Sequence, residues 1–218
     1  MIEISSLIAL NSGVMAGDRS HPTEMSPADI ATNAVRRLAE AVVRTASHPR
    51  AADMAERVNI LADELDSRAP SPAERVETMW DPAGGVPKHS PVAGIRNAVA
   101  QPLVLRYVPD GGVEGRLNFG VLHQGPPGCL HGGVAALVLD VALASANARA
   151  GFPGVTASMK IRYLQPTPLY RELTVVAAHI DRDGRKVRAW AEIRLDGEVC
   201  VRAEGLFVTA REGIASGR

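Results

Sequence analysis

The 218-residue sequence predicts an α+β domain, one long apolar helix laid on an antiparallel sheet, with a helical extension in front of it. Three observations carry this expectation. A helix-length apolar run begins at His131-Gly132-Gly133, two strand-like runs precede it, and four more follow it. The later runs are joined mainly by tight turns, so without long crossovers their strands must be antiparallel.

Residues 1–25 are poorly patterned. Ile2 to Gly17 is fairly apolar, but it contains Glu3 and no Lys or Arg precedes it, so the positive start of a secretion signal is missing. Residues 26–66 then read as a helical hairpin. Ser26-Pro27-Ala28-Asp29 supplies an N-cap serine, a proline at the first helical position and an acid at the third. Ile30, Ala34, Leu38 and Val42 recur at helical spacing until Pro49 ends the helix. Met54, Val58, Leu61 and Leu65 form the stripe of a second helix that begins near Ala51. Both stripes need a surface to lie on.

Residues 67–97 form a proline-punctuated linker in which regular structure is expected to fail, a feature that extends to Pro102. Val76, Met79, Trp80, Val92 and Ile95 make it apolar enough to pack on the domain that follows, residues 98–212, before a short tail at 213–218. In that domain Leu103 to Val108 and Val113 to Phe119 flank Pro109-Asp110-Gly111-Gly112, a hairpin signature. After the helix, Val155, Ala157, Met159, Ile161 and Tyr163 alternate with Thr156, Ser158, Lys160 and Arg162, which predicts a strand with one buried face. Leu173 to Ile180, Lys186 to Leu195 and Glu198 to Val208 follow, separated by Asp181-Arg182-Asp183-Gly184 and Asp196-Gly197 turns. His179 alternates into an apolar run and reads as structural.

Composition excludes several classes of function. Lys plus Arg equals Asp plus Glu, 24 each, so no net field favours nucleic acid or an anionic membrane. Aromatic residues make up 4 %, too few for stacking platforms along a single strand. Cys129 and Cys200 fit two reduced thiols in a cytoplasmic protein, with Cys129 a packing residue rather than a nucleophile. No uninterrupted apolar run approaches the roughly 20 residues of a membrane span. No G-x-S-x-G, phosphate loop, G-x-G-x-x-G or metal-ligand cluster is present, so no metal or redox cofactor is expected.

One residue breaks the pattern of the long helix. From Val134 to Ala148 it is valine, alanine and leucine, with one serine, one asparagine and Asp140. A helix apolar all round is expected to be central and buried. An ionised carboxylate there is costly unless it is paired, so Asp140 is either tied to a backbone or hydroxyl group, turned to solvent, or functional. The loop before it, Gly125-Pro126-Pro127-Gly128-Cys129-Leu130-His131-Gly132-Gly133, is stiffened by prolines and opened by glycines. Glycines at a helix start let backbone N–H groups approach a ligand where the helix dipole favours negative charge. A glycine-rich turn with His131 as cap is the plainer alternative. Nine residues separate His131 from Asp140, about 900° of rotation and about 13 Å of rise, so the two lie on opposite faces. Two antiparallel copies of the helix would bring Gly132 of one near Asp140 of the other, which predicts a site shared across a two-fold dimer.

GPPGCLHGGVAALVLD, with Thr156 sixteen residues after Asp140 and an Asp-Gly-Arg-Lys turn beyond, resembles the hotdog-fold thioesterases of PaaI-like type, nearest to the long-chain acyl-CoA thioesterase branch with an HGG…D…T arrangement. The likeness covers about Ala98 to Ala210. It implies a hotdog fold, a curved antiparallel sheet around the helix, with active sites at a homodimer interface and acyl-CoA as substrate. It further implies that Asp140 attacks the thioester or activates water, that Gly132 donates its N–H to the carbonyl oxygen, that Thr156 places the water or carboxylate, and that His131 shapes the loop. Gly133 would share the substrate-binding loop. The sequence departs from many relatives at Gly125, where they carry Asn or Gln; His123 and Gln124 are candidates for the missing polar group. Arg185 and Lys186 either contact coenzyme A phosphates or form a solvated hairpin tip. The helical hairpin would then cover the acyl tunnel or add an oligomer contact, and pairing of dimers into tetramers stays open. Two rivals share the fold, a non-catalytic acyl-CoA-binding module and a dehydratase. The second lacks an Asp and His close on one element.

Overall fold

The structure, a computed structural model, describes residues 25–45, 47–79 and 88–209. The expected N-terminal segment, Trp80 and the C-terminal tail fall outside these residues. Helices α1 (Pro27–Thr45) and α2 (Ala51–Asp66) occupy the stretch expected to be a helical hairpin. The start of α1 is a reciprocal cap: the Asp29 N–H donates to Ser26 Oγ, and the Ser26 N–H donates back to Asp29 Oδ2.

A third helix, α3 (Pro72–Met79), occupies part of the stretch expected to be irregular. Its cause is local. Ser71-Pro72-Ala73-Glu74 repeats the pattern that opens α1, and the Ser71 N–H and hydroxyl both donate to Glu74 Oε2. The proline that suggested a break sits at the first helical position, where its missing N–H costs nothing.

The sheet holds β1 (Arg106–Tyr107), β2 (Val113–Asn118), β3 (Val155–Tyr163), β4 (Glu172–Asp183), β5 (Lys186–Leu195) and β6 (Glu198–Val208) in the order β1-β2-β4-β5-β6-β3. Every pairing is antiparallel. Only two residues of the expected first strand enter the ladder. Helix α4 (Gly132–Arg149) lies across the sheet and packs chiefly on β4 and β5. This is the hotdog arrangement.

Small residues let α4 approach the strands. Ala135, Leu139, Ala142, Leu143 and Ala146 are buried against Leu173, Val175, Ala189, Ala191 and Phe207. Gly205 of β6 sits under Leu143, and a Cβ there would stand 3.0 Å from a Leu143 methyl and 2.7 Å from the Phe207 ring. By length and apolarity α4 resembles a membrane-crossing helix; here its apolar side is the domain core. Its one fully buried polar side chain, Asn147, meets His179 Nδ1 at 3.0 Å, which gives that histidine the structural role expected of it.

Burial departs from expectation in three places. α4 is not covered all round, since Gly133 and Leu137 are exposed on the side away from the sheet. No residue of β3 is buried, and only Met159 and Ile161 are partly covered, because β3 is an edge strand. The stripe of α2 (Met54, Val58, Leu61, Leu65) is exposed throughout. α1 is instead held by polar groups: Arg36 donates to the carbonyls of Gly94, Ile95, Asn97 and Ala100, and Arg96 reaches back to Asp29.

Because Leu143 fills the gap above Gly205, Leu143→Ala should cost about 3 kcal/mol through the void it leaves. Chemical denaturation of the folded domain measures this directly, with an unchanged midpoint counting against the packing described.

Candidate active site

A bulge decides which way Thr156 points. Simple alternation sets Thr156 with Ser158, Lys160 and Arg162 on the face away from α4. The ladder between β3 and β6 slips by one residue between Thr156 and Ser158. Met159 pairs with Gly205 and Ile161 with Ala203, on the helix side, and after the slip Thr156 pairs with Phe207, also on that side. The Thr156 hydroxyl then donates to Asp140 Oδ1 at 2.7 Å. Asp140 is half-buried, and its second carboxylate oxygen has no hydrogen-bond partner among the described residues.

The start of α4 is built by three contacts. His131 is its N-cap, with the Gly133 N–H donating to the ring Nδ1 at 3.0 Å. The N–H groups of Val134 and Ala135 both donate to the His131 carbonyl. Of the first-turn donors only the Gly132 N–H has no acceptor among the described residues. Gly133 is therefore spent on the cap rather than presented to a ligand. The third contact comes from Tyr163, whose hydroxyl donates to the Gly132 carbonyl at 2.9 Å while its ring lies against Gly132. Sequence reasoning missed this role: Tyr163 stood out only as one member of an alternating strand.

Loop 125–130 explains the glycine at position 125. A Cβ there would sit 2.7 Å from His131 Cα, so the backbone as folded has no room for Asn or Gln. Gln124 Oε1 accepts from the Gly128 N–H and braces the loop. His123 holds the helix start through its backbone, its carbonyl accepting from the His131 N–H at 2.9 Å. Burial keeps the His123 ring below the usual histidine range, against a weaker pull from Glu40.

Glu40 of α1 is a further residue that sequence reasoning missed. Its carboxylate accepts from the N–H groups of Val121 and Leu122 in the 3-10 turn Val121–His123, and from the Tyr170 hydroxyl. Burial opposes its ionisation, but these donors outweigh that cost and hold its carboxyl below the usual range. The N-terminal helix is thus tied to the turn that supports His131.

Arg185 and Lys186 lie at the β4–β5 turn, where Arg185 Nε donates to the Thr209 carbonyl. Lys186 pairs with Val208, and Val208 pairs with Val155, so this turn shares the sheet end that carries Thr156. Cys129 and Cys200 are both free thiols.

Eight residues of α4 separate the open Gly132 N–H from Asp140, about 12 Å along the axis. The structure therefore joins Thr156 to Asp140 and Tyr163 to Gly132, but it does not join these two pairs within one chain.

Comparison with known proteins agrees with this architecture. Residues 127–201 match the family model described as "Thioesterase superfamily", and residues 19–74 match "Hypothetical protein RHA1_ro05818, N-terminal helical domain". The acyl-coenzyme A thioesterase THEM4 of Bos taurus is 35 % identical over 88 residues, 39 % of this chain. The chain spans only about a third of that relative's length, 35 %. The crystal structure of protein RHA08564, described as a thioesterase superfamily protein, is 43 % identical, covers 84 % of this chain and 95 % of its own, and superposes with a TM-score of 0.78. On that match, which takes in the N-terminal helices as well as the hotdog domain, this chain belongs to the thioesterase superfamily.

Proposed function

We propose that the chain hydrolyses an acyl-CoA thioester to a free acid and coenzyme A, at a site that two subunits complete together. The observation that carries this reading is the Thr156–Asp140 bond on one part of α4 with an uncommitted Gly132 N–H at its start. The hydroxyl holds Oδ1 and orients the carboxylate, leaving Oδ2 to attack the thioester carbon or to take a proton from water. Attack moves the carbonyl electrons onto oxygen, and the Gly132 N–H at the positive end of the helix stabilises that charge. Collapse of the intermediate expels the coenzyme A thiolate. Where Asp140 attacks first, water then cleaves the resulting anhydride.

Two features support a two-fold assembly. Among the described residues β3 leaves one side of a nine-residue strand unpaired, and the side of α4 that carries Leu137 and the half-buried Asp140 is left partly open. A second copy placed there would bring its own Asp140 toward Gly132. Arg185 and Lys186, at the Thr156 end of the sheet, are suited to coenzyme A phosphates. The bovine relative, named as an acyl-coenzyme A thioesterase, supports the substrate class.

Coenzyme A release across a panel of acyl-CoA chain lengths tests the reading. Asp140→Asn should lower kcat by about 100-fold or more, the scale of a lost general base or nucleophile. Thr156→Val should lower it by roughly tenfold, the scale of one lost hydrogen bond. Turnover untouched by Asp140→Asn would overturn the assignment, and tight acyl-CoA binding without turnover in the wild type would favour a binding module.

The loop gives a second expectation. Gly125→Asn, which restores the side chain many relatives carry, should lower both thermal stability and activity, because it forces His131 and the helix start apart. Thermal unfolding together with the coenzyme A assay would detect this, and a gain in activity would show that the loop has room to yield.

A further inference from the structure

An apolar cavity of about 410 Å³ opens beside the first turns of α4. Val134, Leu137 and Val138 of α4, His123, and Val35 and Ala39 of α1 are among the residues that line it. Leu137 lies one turn before Asp140, and Val134 lies two residues after Gly132. The cavity thus borders the stretch of α4 that lies between Gly132 and Asp140. Polar groups are few along it, and one of them, Gln101, already donates to the Asn118 carbonyl.

The wall from α1 is fixed in place. Glu40, one residue after Ala39, accepts from the N–H groups of Val121 and Leu122, and a side chain at Gly120 would collide with its carboxylate. Arg36, one residue after Val35, spans four carbonyls of the 94–100 loop. Val35 and Ala39, four residues apart, share a helix face between these clamps. Polar contacts therefore carry α1, while its small apolar residues are left to line a space that none of the described residues fills.

We infer that this cavity receives the acyl group of the substrate, and that α1 is the wall that limits its length; this rests on the acyl-CoA reading above. An apolar void of about 150 Å³ holds a benzene ring, so an apolar cavity of this size has room for an acyl chain. The N-terminal extension is then part of the substrate site, and its register on the domain sets chain-length preference. The stripe of α2 has no such connection to the site and plays no part in this assignment.

Filling the wall tests it. Val35→Trp and Ala39→Trp, each checked for an unchanged fold by circular dichroism, should lower the ratio of kcat/KM for dodecanoyl-CoA to that for butanoyl-CoA at least tenfold. Val35 is half exposed, so that variant is the safer one for folding. An unchanged ratio in a folded variant would overturn the inference. A wild type that turns over no acyl-CoA of any length would instead count against the hydrolase reading. In that case calorimetry with a non-hydrolysable dodecanoyl-CoA thioether still decides the cavity: binding weakened by the tryptophans supports it, and binding unaffected by them, or absent, rejects it.

Discussion

The close seating of α4 on the sheet is the constraint on which the other features depend. Its buried side carries Ala135, Ala142 and Ala146 between Leu139 and Leu143, and Gly205 of β6 makes room below. A larger residue at these points would lift the helix. Lifting it would part Asp140 from Thr156 and Gly132 from Tyr163, the two hydrogen bonds that tie α4 to the edge strand. The free energy of the core is thus what orders the polar groups at its margin, each of which is worth little in isolation.

Edge position and bulge act together at β3. A regular strand would turn Thr156 away from the helix, whereas the one-residue slip beside it turns the hydroxyl onto Asp140 and leaves Met159 and Ile161 on the core side. The same strand ends at Tyr163, which fixes the Gly132 peptide from its carbonyl side. One irregular strand therefore serves both halves of the proposed site. Its other edge is unpaired among the described residues, which supports the proposal that a second copy completes the site.

Much of this is legible in the sequence where the signal is local. Periodicity and tight turns locate α4 and the later strands closely, with β5 and β6 at the expected bounds, and the lone carboxylate on an apolar helix marks Asp140. What escapes is non-local. The expectation for Thr156 rests on family likeness, because a bulge has no composition of its own here. Tyr163 and Glu40 meet their partners 31 and 81 or more residues away, through contacts that no spacing rule encodes. α3 is the exception: Ser71-Pro72-Ala73-Glu74 carries the same cap as α1, but the surrounding prolines mask it. At Gly125, where the family likeness implies a polar side chain in many relatives, the close approach of His131 Cα accounts for a glycine.

The central claim is that Asp140 of one subunit works with the Gly132 N–H of another. Complementation between two inactive chains tests it most directly. Gly132→Pro removes that N–H at the first helical position, where proline is tolerated, and Asp140→Asn removes the carboxylate. Dissociated and reassembled at equal amounts, the two variants should recover about a quarter of wild-type coenzyme A release, since half of the dimers then carry one intact site. Recovery of none, with mixed dimers shown to have formed, would place both groups in sites of a single chain and contradict the account.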